Sequence, residues 1–314
     1  MAKLLVTLLL SSFVYYGEGI PIKDKPAGFG TAEYVLIIGC DGFGGMYLEN
    51  ATSFLPNVDR FYQEGAVTTR ARDQMPSVSA PNWSSIITGM GPDESGVSDN
   101  SWVPSDDNPP DSVVLELPPI SGKGKIPQTM WHAAKDQNPA LKTASVESWD
   151  WIHYLVEPDI VDYEFRGKEN DSACADALSD MIVAHQPNLM FIHFDSIDDA
   201  GHGHGWGSPE YYNAVKNVDG YIGKIFQALN DSRIVDKTLI ILTADHGGYR
   251  FGHGLFDESN MYIPALFMGP GVKKGYQISS YTTDKDFAPT ALNALGLKPG
   301  DFMVGKVVQE MYGQ

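Results

Sequence analysis

Tyr34-Val-Leu-Ile-Ile-Gly-Cys-Asp41 is an uncharged, largely aliphatic run closed by a carboxylate. A short continuous apolar run of this kind reads as a strand buried on both faces, as in a parallel sheet covered by helices. The device recurs. Asn188-Leu-Met-Phe-Ile-His-Phe194 precedes Asp198, and Thr238-Leu-Ile-Ile-Leu-Thr-Ala244 runs into Asp245-His246. In an open α/β sheet the loops beyond the carboxyl ends of parallel strands share one crevice, so residues far apart in sequence converge there.

Outward from these runs, strand and helix signals alternate. Strands are expected at 34–40, 66–72, 142–147, 188–194, 238–244 and 263–268, with helices at 54–64, 81–89, 126–137, 171–185, 208–230 and 286–296. This order, without internal repeats, predicts a three-layer α/β/α fold around a mostly parallel sheet. Residues 98–127, rich in Pro, Asp, Ser and Gly, are expected to form a long loop bordering the crevice.

The chain has 314 residues, 43% of them apolar, enough for one large α/β domain. Residues 1–19 predict a secretory signal peptide, with a basic residue, a short apolar stretch and a small-x-small site at Gly17-Glu18-Gly19. An uncleaved anchor is the alternative. Residues 20–314 are then one catalytic domain, exported or held in a lysosome-like lumen, with no later transmembrane segment expected. The net charge of −18 repels polyanions, so binding to nucleic-acid polymers is not expected. Small phosphate esters remain compatible if carboxylates hold divalent cations. Cys40 and Cys174 are too few for a disulfide scaffold, and a buried Cys40 thiol is favoured over a Cys40–Cys174 bridge. Asn50, Asn82, Asn170 and Asn230 head N-glycosylation tripeptides, of which Asn82 falls in the candidate site and is set aside.

Ser79 lies in Pro76-Ser-Val-Ser-Ala-Pro-Asn-Trp83, where extended chain turns into a helix. A serine at a helix N-terminus faces free N–H groups that favour phosphate oxygens, and a coordinated metal turns its hydroxyl into a nucleophile. A helix N-cap role competes, and Ser77 is an alternative nucleophile. Asp198-Asp-Ala-Gly-His-Gly-His204 sets an Asp and a His four residues apart in an expected loop. Asp245-His-Gly-Gly-Tyr-Arg-Phe-Gly-His253 repeats the chemistry after another buried strand. Carboxylate and imidazole together suit Zn²⁺.

The segments Cys40-Asp-Gly42, Ser79-Ala-Pro-Asn82, Asp198-x-x-Gly-His202 and Asp245-His-Gly247 resemble the signature set of the alkaline phosphatase superfamily. The branch they are most similar to is the type I phosphodiesterase, or nucleotide pyrophosphatase/phosphodiesterase, family. The resemblance spans roughly residues 34–310. It implies an alkaline phosphatase-like fold and two divalent ions, Zn²⁺ as first choice. It further implies that Asp41, Ser79, Asp245 and His246 hold one ion and Asp198, His202 and His253 the other. Asn100 would bind a nonbridging phosphate oxygen.

The chain departs from the branch at Ser79, where Thr is usual, and at Ala80, where an aromatic residue usually flanks a nucleoside. His253 also follows His246 closely, with His204 as a substitute ligand. The sulfatase pattern of Cys or Ser-x-Pro-x-Arg fails, because Trp83 stands where the Arg would be. Trp83 and Trp102, with no Lys or Arg just after Ser79, favour a diester or pyrophosphate over a dianionic monoester. Arg250 is either a substrate contact or a surface cation. The expected function is a secreted two-metal phosphodiesterase acting through Ser79. A phosphomonoesterase is the runner-up, followed by a phosphonate hydrolase and a non-catalytic binding protein. Oligomeric state is not legible.

Overall fold

The computed structural model describes residues 25–104 and 126–313. The signal peptide expected at residues 1–19 and residues 105–125 of the expected long loop lie outside them. Eight strands form one sheet: β1 (Tyr34–Cys40), β2 (Ala66–Arg72), β3 (Thr143–Glu147), β4 (Tyr163–Arg166), β5 (Leu189–Phe194), β6 (Thr238–Thr243), β7 (Tyr262–Met268) and β8 (Tyr276–Gln277). Their order is β4-β3-β5-β1-β6-β7-β2-β8. Only β7 runs against the others, pairing antiparallel with β6 and β2. The mostly parallel expectation therefore holds.

β1 occupies the middle because Val35, Leu36, Ile37 and Ile38 have no exposed surface and so need covering on both sides. Helices α1 (Gly45–Glu49), α2 (Pro56–Glu64), α3 (Ser79–Thr88), α4 (Pro92–Ser95), α5 (Met130–Gln137), α6 (Asp171–His185), α7 (Ser196–His204), α8 (Pro209–Asp231), α9 (Glu258–Met261) and α10 (Phe287–Ala294) complete the described fold. One layer is built on α2, α6 and α8, joined by contacts such as Phe61 with Phe226. The other holds α3, α5 and α10, where Trp83 and Trp131 both pack edge-on to Phe191 of β5. The sequence missed β4 and β8, four and two residues long, because such short edge strands carry no periodic signal.

Register brings the functional strand ends level. Cys40 pairs with Phe194 and Gly39 with Thr243, and the Asp41 N–H donates to Phe194 O at 2.9 Å. Asp41 and Asp245 thus leave neighbouring strands at the same height. Gly39 is required there by close approach: a Cβ would lie 2.5 Å from the Trp83 ring. Cys40 and Cys174 are buried free thiols, so no bridge forms.

Candidate active site

The residues singled out in the sequence meet above the carboxyl ends of β1 and β6. Gly42, with φ +66°, turns the chain immediately after Asp41, and its N–H donates to Asp245 Oδ1 at 3.1 Å. Its carbonyl accepts Trp206 Nε1 at 2.9 Å and the Tyr211 hydroxyl at 3.0 Å. A side chain here would meet Asp198 Oδ1 at 2.8 Å, so both the left-handed turn and the crowding demand glycine.

The ligating atoms of Asp41, Asp245 and His246 lie within 4.8 Å of one another, and so do those of Asp198, His202 and His253. Between the groups, the rings of His246 and His253 stack with centroids 3.7 Å apart. All three histidines are turned the same way by backbone carbonyls. His246 Nδ1 bonds Gly247 O at 2.7 Å, His202 Nδ1 bonds Phe251 O at 3.0 Å, and His253 Nδ1 bonds Ser77 O at 3.0 Å. Each Nδ1 must carry the proton to donate to a carbonyl, which turns each Nε2 towards the site; His246 and His253, kept neutral by burial, present it as a lone pair, whereas His202 Nε2 shares a second proton with Asp198 Oδ2 3.3 Å away. That is the orientation metal-binding histidines take.

The carboxylates agree. Asp41 Oδ1, Asp198 Oδ1 and Asp245 Oδ2 are buried oxygens without a hydrogen-bond partner. Asp245 Oδ2 does lie 3.2 Å from His246 Nε2, but without hydrogen-bond geometry. Leaving such atoms unpartnered is costly, and two groups of carboxylate oxygen and imidazole nitrogen fit two divalent cations. Burial, then repulsion from Asp245, pushes the Asp41 carboxyl well above the usual range. Burial and Asp198 raise Asp245 to about 7. Burial also raises Asp198, but its bond to His202 and the surrounding imidazoles outweigh this and hold it low. His253 is lowered to about 4 by burial and by His246, while the Asp198 bond lifts His202 to about 9.

Ser79 is the first residue of α3 and Val78 precedes it as the cap, so Ser79 does not serve as the N-cap. Its hydroxyl oxygen stands 3.2 Å from His246 Nε2. Asn100 is tied to the same helix end, its Oδ1 accepting the Ala80 N–H at 2.8 Å. Ser77, the alternative nucleophile, is fully buried and donates its hydroxyl to Asp73. His204 is exposed and joins no ligand group among the described residues, whereas His253 does. Arg250 is exposed with its guanidinium over the Tyr249 ring. Asn82 is fully buried, and Asn50, Asn170 and Asn230 are exposed.

Two sequence readings are corrected. Asp198 and His202 sit on the helix α7, not in a loop. Gly201 and Gly203 argue against a helix by propensity, yet a Cβ at Gly201 would lie 2.7 Å from the Trp206 ring, so packing keeps the glycine. The four-residue spacing then puts carboxylate and imidazole on one helix face, 3.3 Å apart. Trp83, read as part of a substrate pocket, has no exposed surface, and Trp102 packs against Trp151.

The model of the family described as type I phosphodiesterase / nucleotide pyrophosphatase matches residues 35–254, from β1 to the loop of His253. The chain belongs to this family. Mouse ectonucleotide pyrophosphatase/phosphodiesterase family member 1 is 29% identical over 238 residues, 73% of this chain and 25% of that protein. Zebrafish arylsulfatase K is 35% identical over 92 residues, 28% of this chain and 18% of the relative. The chain therefore spans about a quarter or less of the length of these relatives. Among solved structures, murine ectonucleotide pyrophosphatase/phosphodiesterase 5, in an inactive form complexed with AMP, aligns with a TM-score of 0.73 at 16% identity. That alignment covers 90% of this chain and all of the other. The likeness fixes the fold as alkaline phosphatase-like α/β.

In this family member, sequence reasoning missed the two groups that hold Asp41. Trp83 Nε1 donates to Asp41 Oδ2 at 2.9 Å, and His193 Nε2 lies 3.0 Å from the same oxygen. The Trp149 N–H donates to His193 Nδ1 at 3.3 Å, so the proton sits on Nε2 and His193 donates to Asp41. Burial lowers His193 to about 3, keeping it neutral. Asp41 Oδ2 is thereby occupied and Oδ1 left facing the site. His193 was the sole polar residue inside an apolar strand run, the one signal available in the sequence. Trp83→Phe keeps a ring against Gly39 but removes the indole donor. It is expected to weaken metal binding by roughly 10–100-fold, read by titration against a competing chelator. An unchanged affinity would show that Asp41 needs no such support.

Proposed function

We propose that this protein is a secreted two-metal phosphohydrolase that cleaves phosphodiester or pyrophosphate bonds through a phosphorylated Ser79. The observation that carries this reading is the placement of Ser79. An uncapped helix-terminal hydroxyl stands 3.2 Å from His246 Nε2, beside the unpartnered oxygens of Asp41 and Asp245. Asp41, Ser79, Asp245 and His246 would hold one ion and Asp198, His202 and His253 the other, with Zn²⁺ fitting the mixed carboxylate and imidazole set. Bound ions would lower the pKa of the Ser79 hydroxyl and neutralise charge on phosphate and leaving oxygen.

The chain's own residues then do the rest. The Ser79 hydroxyl releases its proton to solvent as its oxygen attacks phosphorus in line, an oxygen–phosphorus bond to Ser79 forms, and the bond to the leaving oxygen breaks, that oxygen taking up a proton from solvent. Asn100, anchored through its Oδ1 to the Ala80 N–H, has its amide nitrogen available for a nonbridging oxygen. The start of α3 offers further N–H donors to the same phosphate. Water next attacks the phosphoseryl group, releases the phosphate product and restores the hydroxyl.

The preference for a diester is supported by the loop between His246 and His253 and just beyond, not by Trp83. Tyr249, Phe251, Leu255 and Phe256 are all more than half exposed there, and Phe251 O bonds His202. An exposed apolar rim suits the second substituent of a diester better than a dianionic monoester. Trp83, buried against Asp41, also speaks against a sulfatase-type site after Ser79. No described helix is long and apolar enough to cross a membrane.

Parallel hydrolysis of p-nitrophenyl phosphate, bis-p-nitrophenyl phosphate and p-nitrophenyl thymidine monophosphate tests the proposal, before and after chelation and with Zn²⁺ restored. The expected result is faster diester cleavage, lost on chelation and regained with Zn²⁺. Dominant monoester cleavage would make the protein a phosphatase, and no turnover with both ions bound would overturn hydrolysis altogether.

A further inference from the structure

A separate donor group lies two strands from Asp41, at the edge of the sheet. Glu147 ends β3, His153 sits on the single 3-10 turn that follows (Asp150–Leu155), and Glu164 lies on β4. Their ligating atoms are all within 4.8 Å of one another. Glu147 has no exposed surface. Its Oε2 accepts the Ser145 hydroxyl at 3.0 Å, while its Oε1 is buried without any hydrogen-bond partner. His153 Nδ1 reaches Glu164 Oε1 at 2.5 Å, and these two side chains are 39% and 29% exposed, leaving a path from solvent.

The neighbouring cation does not serve the unpartnered oxygen. Arg166 stands beside Glu147 in the register of β3 and β4, but its guanidinium is committed to Asp150, Nε to Oδ1 at 3.0 Å and Nη2 to Oδ2 at 2.8 Å. Burial, then the adjacent Glu164, pushes Glu147 up to about 9. An ionised Glu147 facing Glu164 therefore needs a positive charge that no described side chain delivers to Oε1.

We infer that Glu147, His153 and Glu164 form a second, independent binding site for a single divalent transition-metal ion. Two carboxylates and one imidazole make three protein ligands, with the remaining positions open to water on the exposed side. Zn²⁺ or Mn²⁺ matches this mixed oxygen and nitrogen set. The alternative is a proton shared by the two glutamates. It would satisfy Glu147 without any ion, and the two cases differ in what can be counted.

The test is metal content after equilibrium dialysis of the full chain against Zn²⁺, by mass spectrometry, for the natural protein and for His153→Ala and Glu164→Gln. Both substitutions are at partly exposed side chains, so the buried Glu147 and its packing stay in place. Each variant is expected to bind about one equivalent less than the natural protein, whatever the strand-end centre holds, because a site with two remaining ligands loses most of its affinity. Co²⁺ replacing Zn²⁺ should give a visible absorption band that loses intensity in both variants. Equal metal content in all three proteins, or a Co²⁺ spectrum indifferent to both substitutions, overturns the site and leaves the shared proton.

Discussion

Replacing Ser79 by Ala is expected to lower phosphodiester turnover by about four orders of magnitude or more while bound metal stays nearly unchanged. The asymmetry follows from where Ser79 sits. In the proposed centre its oxygen would be one donor beside Asp41, Asp245 and His246, which are all fully or almost fully buried and fixed by other strands. Removing one small hydroxyl from the first turn of α3 takes nothing from the core, since no helix N–H depends on it as a cap. Metal content and activity measured on the same preparation separate the roles. Residual turnover within tenfold of the natural protein would remove Ser79 as nucleophile, and parallel loss of metal would make it chiefly a ligand.

Asp41→Asn should be nearly as damaging by the opposite route. The carboxylate has one oxygen given to Trp83 and His193 and the other unpartnered towards the site. An amide of the same shape keeps a carbonyl for the two donors but presents N–H where a cation would sit. Metal at the buried centre should be lost and turnover should fall by about three orders of magnitude. Stability should move the other way in the metal-free protein. Burial and the charge of Asp245 raise Asp41 well above its ordinary range, so the ionised form is favoured in the unfolded chain. At neutral pH, removing that charge stabilises the metal-free fold, and the gain disappears as pH falls to the point where Asp41 is protonated in both states. Thermal midpoints with and without Zn²⁺ check this. The natural protein should be stabilised strongly by the ion and the variant weakly. Full metal retention in the variant would remove Asp41 from the ligand set.

Much of the site was legible because its residues are tied to local signals. An apolar run that stops at a carboxylate marks a parallel strand and its functional end together, as at Asp41 and Asp245. The repeated Asp and His pattern of 198–204 and 245–253 needs no tertiary knowledge to suggest metal. Register then completes the inference, since parallel neighbours ending at one height must present those residues to each other. Other features carry no local mark. Trp83 looked like a substrate-facing aromatic, although it turns inward onto a gap left by Gly39, 44 positions earlier. His193 looked like an interruption of an apolar strand and proved to be the donor that orients Asp41.

By itself, then, the sequence determined six of the eight strands, the mostly parallel sheet and most of the groups that end up together, because hydrophobic periodicity and chain termini of strands are local properties. Only the tertiary structure decided which atoms face which. Carbonyls of Gly247, Phe251 and Ser77 choose the histidine nitrogens that point inward, and two of those carbonyls lie 49 and 176 positions from their histidines. Within α7, Gly201 is required because Trp206 fills the space a side chain would need. His253 rather than His204 closes the second group because helix α7 carries His204 out to solvent. Each of these outcomes depends on close packing between segments remote in sequence, and no local propensity encodes that.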